Sequence, residues 1–477
     1  MANRYLEGAL APISEEYTLT DLAVTGEIPD YLDGRYLRNG PNPIGEIDPE
    51  LYHWFLGDGM VHGIRLRDGK AEWYRNRWVR SPMAARALGE SVPPGRSAIS
   101  QMGANTNVIG HAGKTLALIE AGVPNYELTD ELDTVGVCDF DGTLPGGYTA
   151  HPKRDPVTGE LHAVTYSMMR GNTVQYSVIG IDGRARRTVD IEVAGSPMMH
   201  DFSLTERHVV FYDLPVTFDT GQAVAMTVPR ALRLPARLVL SALIGRVRIP
   251  DPISARLPAG NTADRRFPYS WNPDYPARIG VIPREGTNAD VRWFEVEPCY
   301  VFHPMNAYDD GETIVLDVVR HPKMFDTDRL GPNEGPPTLE RWTVDLADDK
   351  VRESRIDDRG QEFPRVDERL VGKRHRYGYA PCVEDDAADT LLKHDLVGGG
   401  AASRSFGSGK SLGEFVFHPS SPDAAEDDGV LMGYVYDQST DRSELAILDA
   451  QTLDDVAAVK LPHRVPAGFH GNWVPTP

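Results

Sequence analysis

Short runs rich in Val, Ile, Tyr, Phe and Trp, each stopped by a turn, recur along nearly the whole chain. GIRLRDGKAEWYRNRWV, TLALIEAG, HVVFYDLPV, TIVLDVVRH, ERWTVDL, LMGYVYD and LAILDA are examples. Side chains branched at Cβ and flat rings suit a pleated, half-buried surface, and Asp-Gly pairs suit tight hairpin turns. Long helical periodicity is scarce. The chain is therefore expected to be all-β, and many short strands at regular spacing suggest a sandwich, a barrel or a propeller. There is no clear WD or kelch repeat, so periodicity does not choose among the three. No interior linker is evident, and residues 1–477 are expected to form a single domain.

One stretch breaks the pattern. Residues 228–258 read VPRALRLPARLVLSALIGRVRIPDPISARLP. Leu232, Leu234, Leu238, Val239, Leu240, Leu243 and Ile244 lie among Arg230, Arg233, Arg237, Arg246 and Arg248, with no acid before Asp251. An interfacial element has this character, with an apolar face to bury and arginines to meet phosphates. A cap helix packed on the rest of the protein, its arginines snorkelling to water, has it too. Both readings stay open from sequence.

The formal net charge is −21, which argues against a nucleic-acid footprint and against anionic membranes as partners for the chain as a whole, a local basic patch aside. Cys138, Cys299 and Cys382 are isolated and odd in number, as expected for free thiols in a reducing, cytoplasmic setting. The opening MANRYLEGALAP has no long apolar core, so no signal peptide is expected. Nor is there a run of about 18 uncharged apolar residues of the kind that spans a bilayer.

Four histidines stand in compact contexts: His151 in TAHPKRDP, His200 in MMHDFSLT, His303 in VFHPMNAYDDG and His470 in GFHGNW. No two are close in sequence, and a local ligand pair such as HExxH is absent, so spacing alone does not make them a metal site. In this order, and with the early GEIPDYLDGRYLRNGPNP, the contexts resemble the carotenoid cleavage oxygenase family. The resemblance implies a seven-bladed β-propeller with a loop or helical cap over the metal face. It also implies that His151, His200, His303 and His470, each from a different blade, hold one non-haem Fe(II).

A cation held only by neutral imidazoles needs carboxylates behind them, to accept the other ring N–H and fix tautomer and orientation. Glu120 in TLALIEAG, Glu362 in RGQEFPRVD and Glu414 in LGEFVFHP stand where the family carries such glutamates. The resemblance implies that these orient three of the four histidines and that His151 has no such partner. Taken alone, Glu362 reads equally as an ion pair with Arg365. Asp201 is set aside as a ligand, because neighbours on a strand point to opposite faces and Asp201 and His200 should not converge on one ion. The other ten histidines, His321 and His418 among them, are read as surface or satisfied core residues.

The activity implied is oxidative scission of a conjugated C=C bond by O2, giving two carbonyl products. No Walker A motif competes with that reading. By resemblance Thr106 limits the sixth metal position, and Phe302 and Phe363 line an apolar tunnel for a lipophilic polyene; strand alternation adds Met198. The phenolic branch of the family, which cleaves stilbenes or phenylpropenes, carries a lysine where this chain has Ile119. A buried hydroxyl without its partner is penalised, so a carotenoid or apocarotenoid is the expected substrate. The family's membrane-derived substrates give the 228–258 block a purpose, and peripheral membrane contact is expected there. The alternatives are a stilbene-type oxygenase and, from a different class, a non-catalytic propeller that only binds.

Overall fold

The computed structural model describes residues 3–94, 103–144, 146–227, 232–244, 246–247, 267–331, 334–383 and 389–476. Its strands form seven blades around one axis, as the resemblance implies, plus one two-stranded sheet. Blade 1 is built on Gly34–Pro41, Gly59–Arg67 and Lys70–Trp78. Blades 2 to 6 follow in order, beginning at Asn107, Lys153, Phe202, Tyr300 and, for the regular strands of blade 6, Tyr377. Blade 7 comprises Val416–Pro419, Gly429–Asp437, Arg442–Asp449 and Asp455–Lys460. Both ends of the chain close the ring. Gly471–Pro475 pairs antiparallel with Gly34–Pro41 in blade 1, and Ala23–Gly26 pairs with Asp455–Lys460 in blade 7.

Burial grades outward from the axis, and the sequence shows why. Tyr300–Asp310 and Thr313–His321 of blade 5 are almost wholly buried and read as continuous apolar runs, as strands covered on both faces must. The outer strand Lys350–Asp357 alternates exposed and half-buried positions with charged side chains outward. The largest apolar cluster spans blades 3, 4 and 5, with Tyr176, Phe202, Phe211, Leu316 and Trp342 all fully buried. The three cysteines are free.

Between the second and third strands of blade 4 the chain leaves the propeller. This insertion carries the two-stranded sheet Val216–Phe218 with Tyr269–Trp271, and the helices Thr220–Thr227 and Arg233–Leu243. Within the 228–258 block, Arg230, Arg248 and Asp251 lie outside the described residues. Leu240 and Ile244 pack against the large cluster, whereas Leu234 is 71% and Leu238 66% exposed, with Val239 and Leu243 exposed beside them. No helix among the described residues is long and apolar enough to cross a membrane.

Candidate metal centre

Each blade brings one polar residue to the axis, at or near the start of its innermost strand. Thr106, His151 and His200 lie just before the inner strands of blades 2, 3 and 4, and His303 lies within that of blade 5. Glu362 comes from the segment that bridges to blade 6 through Gln361–Cys382 and Arg365–Tyr379, Glu414 precedes the inner strand of blade 7, and His470 precedes the closing strand of blade 1. Glu120 follows the second strand of blade 2. Residues far apart in sequence therefore meet because a propeller brings every blade to the same axis.

The four histidines are buried, and one ring nitrogen from each lies within 4.8 Å of the other three. Their outward nitrogens face carboxylates. Glu120 Oε2 lies 2.7 Å from His200 Nδ1, Glu362 Oε2 2.6 Å from His303 Nδ1 and Glu414 Oε1 3.0 Å from His470 Nδ1. This leaves the Nε2 atoms inward, with those of His200 and His303 3.3 Å apart. His151 Nε2 is buried without a hydrogen-bond partner. Inward lone pairs this close, one of them orphaned, with three carboxylates behind, are the donor set a cation completes. The residues present fit a metal ion.

Each glutamate has its own second support. Tyr166 is buried close to Glu120, and burial and then the Glu120 charge push its phenol pKa well above the usual value. Gly471 N–H donates to Glu414 Oε2 (2.8 Å), and Arg365 Nη1 lies 3.4 Å from Glu414 Oε1. A Cβ on Gly471 would stand 2.7 Å from the Leu37 carbonyl oxygen, so the residue after His470 must be glycine for the closing strand to approach. Arg365 also bonds Glu368 and makes no pair with Glu362, so the Glu362–Arg365 pairing considered from sequence is not the one formed. Instead, Glu362 Oε1 accepts from His321 Nε2 at 2.7 Å. Two of these glutamates are followed by residues in the left-handed region, Ala121 (φ 61°) and Phe363 (φ 54°). Such backbone costs of order 1–3 kcal/mol and persists where the surroundings hold it.

His151 differs from the other three. Its Nδ1 faces Asp201 Oδ2 at 3.7 Å, and that oxygen is 2.8 Å from Lys153 Nζ. Asp201 is thus turned away from the cluster, as strand alternation from His200 requires.

The electrostatics follow from this geometry. Burial, reinforced by the neighbouring imidazoles, pushes the His151 pKa well below the usual imidazole value. Burial also lowers that of His303 despite Glu362. At His200 burial lowers the pKa, but the adjacent Glu120 charge outweighs it and the pKa is raised. Burial would raise Glu414, but Arg365 and His470 hold its carboxyl down at about 2. Burial would likewise raise Glu362, but His303 and His321 hold its carboxyl well below the usual carboxylate range, so Glu362 and Glu414 are anionic.

Aromatic residues cover the centre on one side. The ring of Phe363 stacks on His303 at 5.4 Å, and that of Phe302 stands edge-on to His200 at 4.9 Å. Phe55 touches Phe302 and Phe469, and it meets Phe267 of the insertion. Met198 is buried in the same cluster as Phe302, whereas Ile119 packs in a separate one with Val108, Ala117 and Tyr126. Thr106 sits beside His470, whose N–H donates to the Thr106 carbonyl at 3.0 Å. A cavity of about 660 Å³ reaches the centre, with Lys153, Asp201, Arg365 and Asn472 among its walls together with His151, His303 and His470. None of Thr106, Ile119, Met198, Phe302 or Phe363 lines it.

The family model described as retinal pigment epithelial membrane protein matches residues 10–475. A "Carotenoid cleavage oxygenase" of Mycobacterium tuberculosis is 60% identical over 490 residues, covering 99% of this chain and 98% of that one. Among solved structures, the lignostilbene dioxygenase of Pseudomonas brassicacearum superposes with a TM-score of 0.82 at 26% identity, covering 100% of both chains. Cobalt-substituted Synechocystis ACO superposes with a TM-score of 0.79 at 28% identity, covering 98% of this chain and 97% of that one.

Proposed function

The chain belongs to the retinal pigment epithelial membrane protein family, and from that premise we propose that it is a non-haem Fe(II) dioxygenase cleaving a conjugated C=C bond of a carotenoid or apocarotenoid to carbonyl products. The observation that carries the reading is the convergence of four buried imidazoles with three carboxylates behind them. A bound ferrous ion would supply oxygen-activating redox chemistry there.

The chain's own residues do the rest. His151, His200, His303 and His470 hold the metal, and Glu120, Glu362 and Glu414 fix three of the rings and offset the charge. Phe302, Phe363 and Met198 form the apolar surface that positions the polyene, and the Phe55–Phe267–Phe469 layer excludes water. Thr106, beside His470, restricts the remaining metal position. No general base is required, and the whole chain acts as one domain. The exposed leucines of Arg233–Leu243, on a helix anchored through Leu240, suit contact with a lipid surface from which the substrate is taken.

Metal and products test the reading together. Protein reconstituted anaerobically with Fe(II) is expected to hold iron near stoichiometrically and, given O2, to convert β-carotene or an apocarotenal to aldehydes identified by chromatography and mass spectrometry. No iron after reconstitution would leave a propeller that only binds. The likeness to a lignostilbene dioxygenase keeps a stilbene-type substrate as the second reading, and aldehydes from resveratrol alone would select it. For the membrane, Leu238→Glu with Leu243→Glu is expected to weaken partition into vesicles about tenfold or more, since full burial of one leucine is worth about 1.5–3 kcal/mol. Unchanged partition would mean that this helix serves only as a cap.

A further inference from the structure

We infer that His321 is a positioning residue of the metal centre: through Glu362 it fixes the imidazole of His303, in a buried His303–Glu362–His321 relay. The inference rests on the metal-centre reading above and extends it to a histidine two bonds removed from the ion. His321 closes the second strand of blade 5 and is 1% exposed. Its Nε2 lies 2.7 Å from Glu362 Oε1, while Glu362 Oε2 lies 2.6 Å from His303 Nδ1 and also accepts the Phe363 N–H. The edge of Phe302 holds the ring in place at 5.3 Å.

The partners define the tautomers. An anionic carboxylate only accepts, so both imidazoles donate to it. His321 Nδ1 is buried without a partner, so the donated proton sits on Nε2. This separates Glu362 from Glu414. The latter shares its charge with the Arg365 guanidinium, whereas Glu362 has no arginine or lysine within salt-bridge distance among the described residues. An imidazole donor in place of a guanidinium leaves the Glu362 carboxylate directed at His303 Nδ1. It also locks the carboxylate plane at both oxygens, with strain at Phe363 (φ 54°) holding the turn.

Cobalt(II) is the probe, because its visible d–d bands report ligand geometry without turnover. His321→Phe removes the donor and keeps a ring. It is expected to weaken Co(II) binding about five- to tenfold, below the 10–100-fold typical of a direct outer-shell contact, and to shift the bands. His321→Gln, which restores an N–H at the right reach, is expected to return both to within about twofold. If His321→Phe does not fold, His321→Gln is compared with His321→Met, of similar length but without the donor. Wild-type affinity and spectrum in the donorless variant, or equal loss in His321→Gln, would reduce His321 to a packing residue and overturn the inference. Wild-type protein that takes up no Co(II) would instead remove the metal-centre reading on which it stands.

Discussion

Two sets of histidines are buried to nearly the same depth, and they differ in what surrounds their nitrogens. On the axis, His200, His303 and His470 each turn Nδ1 to a carboxylate and Nε2 to the other imidazoles. Within the blades, His62 and His162 pair with neutral phenols, Nδ1 of His62 lying 2.9 Å from Tyr74 Oη and Nδ1 of His162 2.6 Å from Tyr176 Oη. In each case the histidine and the tyrosine lie on neighbouring strands of one blade, so the pairing recurs in blades 1 and 3. His62 and His162 are 2% and 1% exposed, while the four axial residues are 5–8% exposed. Burial therefore does not mark a ligand. A charged acceptor on one nitrogen and other imidazoles before the other nitrogen do.

The largest expected effect breaks the axial set. His303→Ala should abolish stoichiometric iron and reduce turnover at least 100-fold, because it removes a ligand and strands the Glu362 charge. Metal analysis and product formation should fall together, and a normal iron content would take His303 out of the ligand set. His162→Ala, in contrast, should leave iron content unchanged.

The next effect tests the carboxylates. Glu414→Gln keeps the shape but removes the charge that His470 and Arg365 share. Metal affinity is expected to fall 10–100-fold, the range for outer-shell partners of ligating histidines. Titration with Co(II) measures it, and an unchanged dissociation constant would mean that the carboxylate charge is irrelevant at this ring.

How much of this was legible in the sequence depends on the scale at which each signal is written. Strand content is local, since alternation and Asp-Gly turns record it within ten residues, and the all-β reading needed nothing else. The number of blades is not local. Each blade differs in strand length, and closure depends on Gly471–Pro475 pairing with Gly34–Pro41 across the whole chain. Only the resemblance supplied it, together with the four histidines, and the fold brings those four together. His321 was passed over, although its signal was present. The Asp310–Gly311 turn makes YVFHPMNAYDDGETIVLDVVRH a hairpin, and the register Tyr300↔His321 places His321 beside Phe302 and His303. Glu362 was weighed against Arg365 because three residues separate them, but the blade 6 bridge turns Arg365 toward Glu414 instead. His151 Nδ1 meets no glutamate among the described residues; the Asp201 Oδ2 that faces it stands 3.7 Å away, held by Lys153, and that placing depends on how blades 3 and 4 adjoin.

The smallest expected effect comes from the other set, and its sign separates the two. Burial lowers the His162 pKa from 6.5 to about 4. Between these values the unfolded chain takes up a proton that the folded imidazole refuses. Stability attached to His162 is therefore complete above pH 6.5 and lost as pH falls toward 4, by about 2 kcal/mol at pH 5. His162→Gln keeps a polar partner for Tyr176 and has nothing to titrate. In metal-free protein, so that release of an ion does not enter, the wild type should lose more stability than His162→Gln between pH 7 and pH 5, by that amount. Denaturant unfolding at the two pH values measures the difference. Parallel losses would mean that His162 is hydrated or already protonated in the fold, and that the blade histidines are not the neutral set that distinguishes them from the axial ones.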